Sequence, residues 1–154
     1  MYFAGDSAGA QLAAQFVSIQ LNEDFSPTAG IDQLVPADSI RGAILLCGPY
    51  DLIEAVTESK SPEGLAAAEE ASLLDNQPEV FVPTFITDGN TASFESQGKR
   101  FAEYLSGVTD VTQVFYDLEE VELLHEYQFQ MDLEQSVRTY ELWLDYLDET
   151  DGME

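Results

Sequence analysis

Five residues near the start of the chain, Gly5-Asp6-Ser7-Ala8-Gly9, restrict its fold more than any other feature. Met1-Tyr2-Phe3-Ala4 before them is a short apolar run, and the sequence from Ala8 onward reads as a helix without a charged residue until after Leu21. The pentapeptide is therefore a strand-to-helix turn of the form G-x-S-x-G, the pattern of a nucleophile elbow. A turn this sharp holds its central residue in strained backbone geometry, and side chains two positions to either side are expected to collide unless glycine stands there. The serine oxygen then projects clear of the fold, and the backbone N–H of Ala8 is free to help bind an oxyanion.

The rest of the chain alternates strand and helix. Within Ala8 to Leu21 the stripe Leu12, Phe16, Ile19 has helical spacing, and Ala10, Ala13 and Ala14 permit close approach to a sheet. A polar loop containing Pro and Gly follows, from Asn22 to Ser39, and then a strand over Ile40 to Leu46, closed by Gly48-Pro49. The stretch Tyr50 to Val80 is a cap-like or irregular insertion. Inside it Ser61-Pro62-Glu63 predicts an N-cap, a first-turn proline and a short helix through Ala68. Phe81 to Thr87 is a third strand, ending at Asp88-Gly89-Asn90. Ser93 is the expected cap of a helix striped by Phe94, Gly98, Phe101 and Leu105. Val111 to Tyr116 is a fourth strand. The last helix should face the core with Leu133, Val137, Tyr140, Leu144 and Leu147.

At 154 residues the chain suits one domain, able to bury roughly 68–70% of its unfolded surface. Strands separated by helices call for parallel pairing, and in such sheets ligands gather beyond the carboxyl ends of the strands. Ser7, Asp88 and the loop carrying His125 each follow a predicted strand, so all three should reach one edge. His125 is the only histidine.

Charge excludes some functions. Thirty acids against five bases give a formal net charge of −25, which disfavours nucleic acid and anionic membranes, since both attract through Lys and Arg. Such a surface suits high salt, where screening relieves self-repulsion. No run is long enough to span a membrane, and no signal peptide is visible, which predicts a cytoplasmic protein. The single cysteine, Cys47, ends an apolar run and reads as a buried, inert thiol. No loop has the spacing of a calcium site, so no metal is expected.

Four segments carry a family resemblance: Gly5-Asp6-Ser7-Ala8-Gly9, Cys47-Gly48-Pro49-Tyr50-Asp51-Leu52, Pro83-Thr84-Phe85-Ile86-Thr87-Asp88-Gly89 and His125-Glu126-Tyr127-Gln128-Phe129. Together they resemble the C-terminal half of an α/β-hydrolase, and more narrowly the hormone-sensitive-lipase-like esterases, whose elbow is typically G-D-S-A-G. The resemblance covers nearly the whole chain. It implies a partial α/β-hydrolase fold with a mostly parallel sheet of about four strands and flanking helices. Ser7 would be the nucleophile, His125 the general base and Ala8 an oxyanion donor, acting on a small-molecule ester through an acyl-serine without any cofactor. The family pattern also implies a His-Gly-Gly oxyanion motif and several strands ahead of the elbow, none of which this sequence contains. It usually places the acid three residues after the glycine that ends the strand, which here is Ala92. Asp88 is the nearest substitute and Glu95 a weaker one.

Two other readings belong beside this one. A chymotrypsin-like protease shares the turn, but its histidine precedes its serine and its fold is all β. A non-catalytic acidic binding domain derived from a hydrolase fits the alanine at position 92. With a first strand left as an edge, self-association into homo-oligomers is also expected.

Overall fold

The computed structural model describes residues 1–25, 29–55, 61–117 and 119–152. Four strands, β1 (Tyr2–Asp6), β2 (Gly42–Leu46), β3 (Thr84–Thr87) and β4 (Val111–Val114), form one parallel sheet in that order. Between them lie α1 (Ala8–Leu21) after β1, α2 (Leu52–Ala55) and α3 (Pro62–Ala71) after β2, and α4 (Glu95–Leu105) after β3. The chain ends on α5 (Glu134–Asp151).

Strand periodicity divides the core. Side chains alternate between the two faces of a strand, so Ala43 and Leu45 of β2 pack with α1 and α4, while Ile44 and Leu46 pack with α5. On the first face Ala10, Ala14 and Val17 of α1 meet Ile86, Phe101 and Leu105. On the second, Phe85 and Val114 meet Tyr146.

Two expected helix stripes hold only in part. In α1 Leu12 is 62% exposed, but Ile19 is buried, and Ala10 and Ala14 pack on the sheet as expected, their small side chains letting α1 approach the strands closely. In α5 the expected stripe fails in its centre: Val137, Tyr140 and Leu144 are exposed, whereas Ser136, Thr139, Tyr146 and Thr150 are buried. The polar side chains go inward because each finds a partner. Ser136 donates to the Tyr127 carbonyl at 2.6 Å, Thr139 Oγ1 meets the Tyr127 hydroxyl at 2.8 Å, and the Tyr146 hydroxyl donates to the Pro83 carbonyl at 2.8 Å. Gly42 makes room for that tyrosine, since a β-carbon there would collide with its hydroxyl.

Strand limits also shift. β3 begins at Thr84, after Pro83, which has no N–H to give to a ladder. Ser61 caps α3 as expected, accepting from the Gly64 N–H at 3.1 Å, and the helix runs on to Ala71. Part of the insertion expected over Tyr50 to Val80, residues 56–60, lies outside the described residues. Ser93 is not the cap of α4, which starts one residue later, with Phe94 at the cap position.

Candidate active site

Register alone brings the key residues together. Asp6 pairs with Leu46, and Leu46 with Thr87, at the carboxyl ends of β1, β2 and β3. The residues that follow these three, Ser7, Cys47 and Asp88, therefore stand side by side along one edge. Two further backbone bonds hold them there, from the Ser7 N–H to the Leu46 carbonyl and from the Cys47 N–H to the Thr87 carbonyl, both 2.8 Å.

Ser7 has φ 55° and ψ −123°, outside the regions that a non-glycine residue favours. Such strain is held only where the surroundings over-determine it, and it gathers at functional sites. Gly5 is needed for the turn: a β-carbon there would overlap the Gly9 carbonyl and lie 2.6 Å from the Ala10 nitrogen. Gly9 is not needed for the same reason, because a β-carbon there would meet open space. The expected collision is thus one-sided, since the chain turns so that only the strand-side residue faces the helix backbone. Ala8 is the first residue of α1, so its N–H has no acceptor within the helix.

His125 reaches this edge from the segment between β4 and α5. Its Nε2 lies 3.0 Å from Ser7 Oγ. Its Nδ1 faces Asp88 Oδ1 at 3.8 Å, which is longer than a hydrogen bond. Among the described residues neither of those two atoms has a hydrogen-bond partner. Asp88 is 1% exposed, and its other oxygen, Oδ2, accepts from the Phe94 N–H at 3.1 Å. Burial pushes the Asp88 carboxyl up to about 6, partly offset by the Cys47 thiol, by His125 and by the Gly89 and Phe94 N–H groups. The Phe94 ring sits edge-on to the imidazole, with centroids 5.5 Å apart.

The structure thus brings Ser7, His125, Asp88 and Ala8 to one place. Glu95 instead pairs with Lys99 at 2.7 Å, and Ala92 is exposed with φ 49°. Three residues to which the sequence assigned no role at the site hold the histidine loop. The Asn90 side chain donates to the Val121 carbonyl at 2.8 Å and accepts from the Leu123 N–H at 2.9 Å. Gly89 lets that loop come close. Gln128 donates to Asp6 Oδ1 at 3.0 Å and accepts from the Cys47 thiol at 3.1 Å. The Asp-Gly-Asn turn after β3 was the only sequence signal for the first two.

Solved structures with a similar fold include esterases. Esterase B from Lactobacillus rhamnosis, in an inhibited form, superposes with a TM-score of 0.75 at 17% identity, over 97% of this chain and 53% of its own. The chain has a partial α/β-hydrolase fold. An esterase from the bacterial hormone-sensitive lipase family matches with a TM-score of 0.61 at 12% identity, over 94% of this chain and 52% of that one. EstE1, a thermostable carboxylesterase cloned from a metagenomic library, matches at 0.58 and 17% identity, over 98% and 54%. The chain therefore spans about half the length of the hydrolases it resembles. No family sequence model and no curated protein sequence matches it, so the likeness to hormone-sensitive-lipase-type esterases is one of fold. No helix among the described residues is long and apolar enough to cross a membrane.

Proposed function

We propose that this chain carries the nucleophile, base and acid of a serine carboxylic-ester hydrolase. The observation that carries the reading is the 3.0 Å approach of His125 Nε2 to the oxygen of a serine held at φ 55°. In the reaction His125 Nε2 takes the Ser7 proton as Oγ attacks the ester carbonyl carbon. The carbonyl oxygen becomes an oxyanion facing the Ala8 N–H. Collapse of the tetrahedral species expels the alcohol, which receives the proton from His125. Water then attacks the acyl-serine with His125 taking its proton as base, the bond to Ser7 Oγ breaks, Oγ recovers that proton from His125, and the carboxylic acid leaves.

Asp88 supports the ring from behind. Its carboxylate faces Nδ1 at 3.8 Å, and such contacts tighten when substrate binds. A charge on the imidazole is then met by a buried counter-charge. The further oxyanion donors belong to a His-Gly-Gly motif that this sequence does not contain, so the full reaction is assigned to the protein supplied with the upstream half that the family pattern implies. A small ester is the substrate class, and no cofactor enters the steps.

Hydrolysis of short-chain nitrophenyl esters by that completed protein tests the assignment. Ser7→Ala and His125→Ala should each remove most of the turnover, and Asp88→Asn should reduce it by about 10⁴-fold, as loss of an orienting carboxylate does in other triads. Glu95→Gln should leave it nearly unchanged. Wild-type turnover in Ser7→Ala would refute the reading.

A further inference from the structure

The site holds one group that ester hydrolysis does not use. The Cys47 sulfur, a carboxylate oxygen of Asp88 and a ring nitrogen of His125 all lie within 4.8 Å of one another. Cys47 is fully buried and Asp88 nearly so, while the edge of His125 remains open to solvent. Asp88 Oδ1 and His125 Nδ1 face each other without any hydrogen-bond partner among the described residues. A buried carboxylate oxygen left in this way is costly. The 3.8 Å gap is too long for a hydrogen bond, but it is near the ~3.4 Å that separates N and O ligands on a tetrahedral ion with bonds of about 2.0–2.2 Å.

We propose that Cys47, Asp88 and His125 form an inhibitory site for a borderline-soft divalent cation such as Zn²⁺. The donor set of one thiolate, one carboxylate and one imidazole suits zinc and is foreign to Mg²⁺ or Ca²⁺, which prefer oxygen alone. The inhibition rests on the assignment of His125 as the base for Ser7. The ion takes the lone pair of Nδ1, so the ring proton must reside on Nε2. That N–H then points at Ser7 Oγ and donates to it, and the ring has no lone pair left to accept the serine proton.

Binding balances as a proton exchange. The cation enters, the Cys47 S–H bond breaks, sulfur keeps the electron pair and binds the metal, and one proton leaves to solvent. Nothing is oxidised or reduced. Burial raises the thiol pKa, so at neutral pH the proton stays on sulfur until a metal displaces it. The thiol must also release the Gln128 carbonyl oxygen that it now meets at 3.1 Å. The net charge of −25 raises the concentration of divalent cations near the protein surface.

Titration of the folded chain with Co²⁺ alone reads the site without relying on activity. A thiolate-to-cobalt charge-transfer band with the absorption of a four-coordinate ion should appear, and Zn²⁺ should displace it. Cys47→Ala and Asp88→Asn should each abolish the band while circular dichroism stays native. No band in the wild-type chain, or an unchanged band in Cys47→Ala, would overturn the site. The second arm is labelling of Ser7 by a fluorophosphonate. Zn²⁺ should slow it by about 10²-fold, the scale of losing a general base, and Cys47→Ala should restore the rate. Unimpeded labelling of a chain shown to hold cobalt would overturn the inhibition. If Ser7 fails to label even without metal, the esterase reading falls, and the cobalt spectrum still decides the metal site.

Discussion

Gly89 has no side chain, and the backbone of Leu124 occupies the space that one would fill. A β-carbon there would overlap the Leu124 carbonyl oxygen and lie 2.7 Å from the carbonyl carbon. The residue beside Asp88 thus sets how close the segment carrying His125 comes to the sheet. The Asn90 and Thr91 N–H groups complete the contact by donating to the Leu123 carbonyl at 2.9 and 3.0 Å.

Gly89→Ala should therefore cost about 1–3 kcal/mol of stability, the usual range for an overpacked site. It should also reduce phosphonate labelling of Ser7 out of proportion to that loss, because His125 is displaced from its 3.0 Å approach. Thermal melting and labelling rate measured on the same sample check both. An unchanged labelling rate would show that the loop does not depend on this contact.

Most of the geometry of the candidate site was legible because it follows from chain order and strand register. An apolar run, a glycine-flanked serine and a later strand ending in Asp88 suffice to place Ser7 and Asp88 on one edge, since parallel strands all end there. His125 was identified by being the one histidine after the last strand. What was hidden depends on tertiary detail. The inward turn of Ser136, Thr139 and Thr150 on α5 reverses the usual hydrophobic rule, and it rests on partners in Tyr127, Tyr116 and Tyr2 that no periodicity shows. The Asn90 clamp on the Val121–Leu123 backbone is likewise a long-range contact. The open space at Gly9 could not be told from the crowding at Gly5, because the motif writes both positions with the same residue.

Asp88 makes stability depend on pH. In the unfolded chain its carboxyl ionises near 3.8, and in the fold burial delays ionisation to about 6. Between those values the folded chain holds a proton that the unfolded chain has released, so this group lowers stability as pH rises, by about 3 kcal/mol in total. Asp88→Asn removes the ionisation and keeps an acceptor for the Phe94 N–H. The variant should match wild type below pH 4 and melt higher above pH 6, with the gap opening between. A gap independent of pH would contradict a buried, ionising carboxyl.

The net charge of −25 gives a salt prediction. Raising the ionic strength from 0.1 M to 1 M shortens the screening length from ~10 Å to ~3 Å. The melting temperature should therefore rise between dilute buffer and molar KCl. A flat or falling value would mean that the acidic surface serves solubility alone.

If His125 activates Ser7, a fluorophosphonate should label that serine covalently. The reagent needs an activated serine and a single event, not full turnover. Mass spectrometry of the labelled chain should find one adduct, on Ser7, that is absent in Ser7→Ala and lost or slowed by about 10²–10⁴-fold in His125→Ala. A natively folded chain that takes no adduct on Ser7, or a Ser7 that labels equally well without His125, would contradict the account.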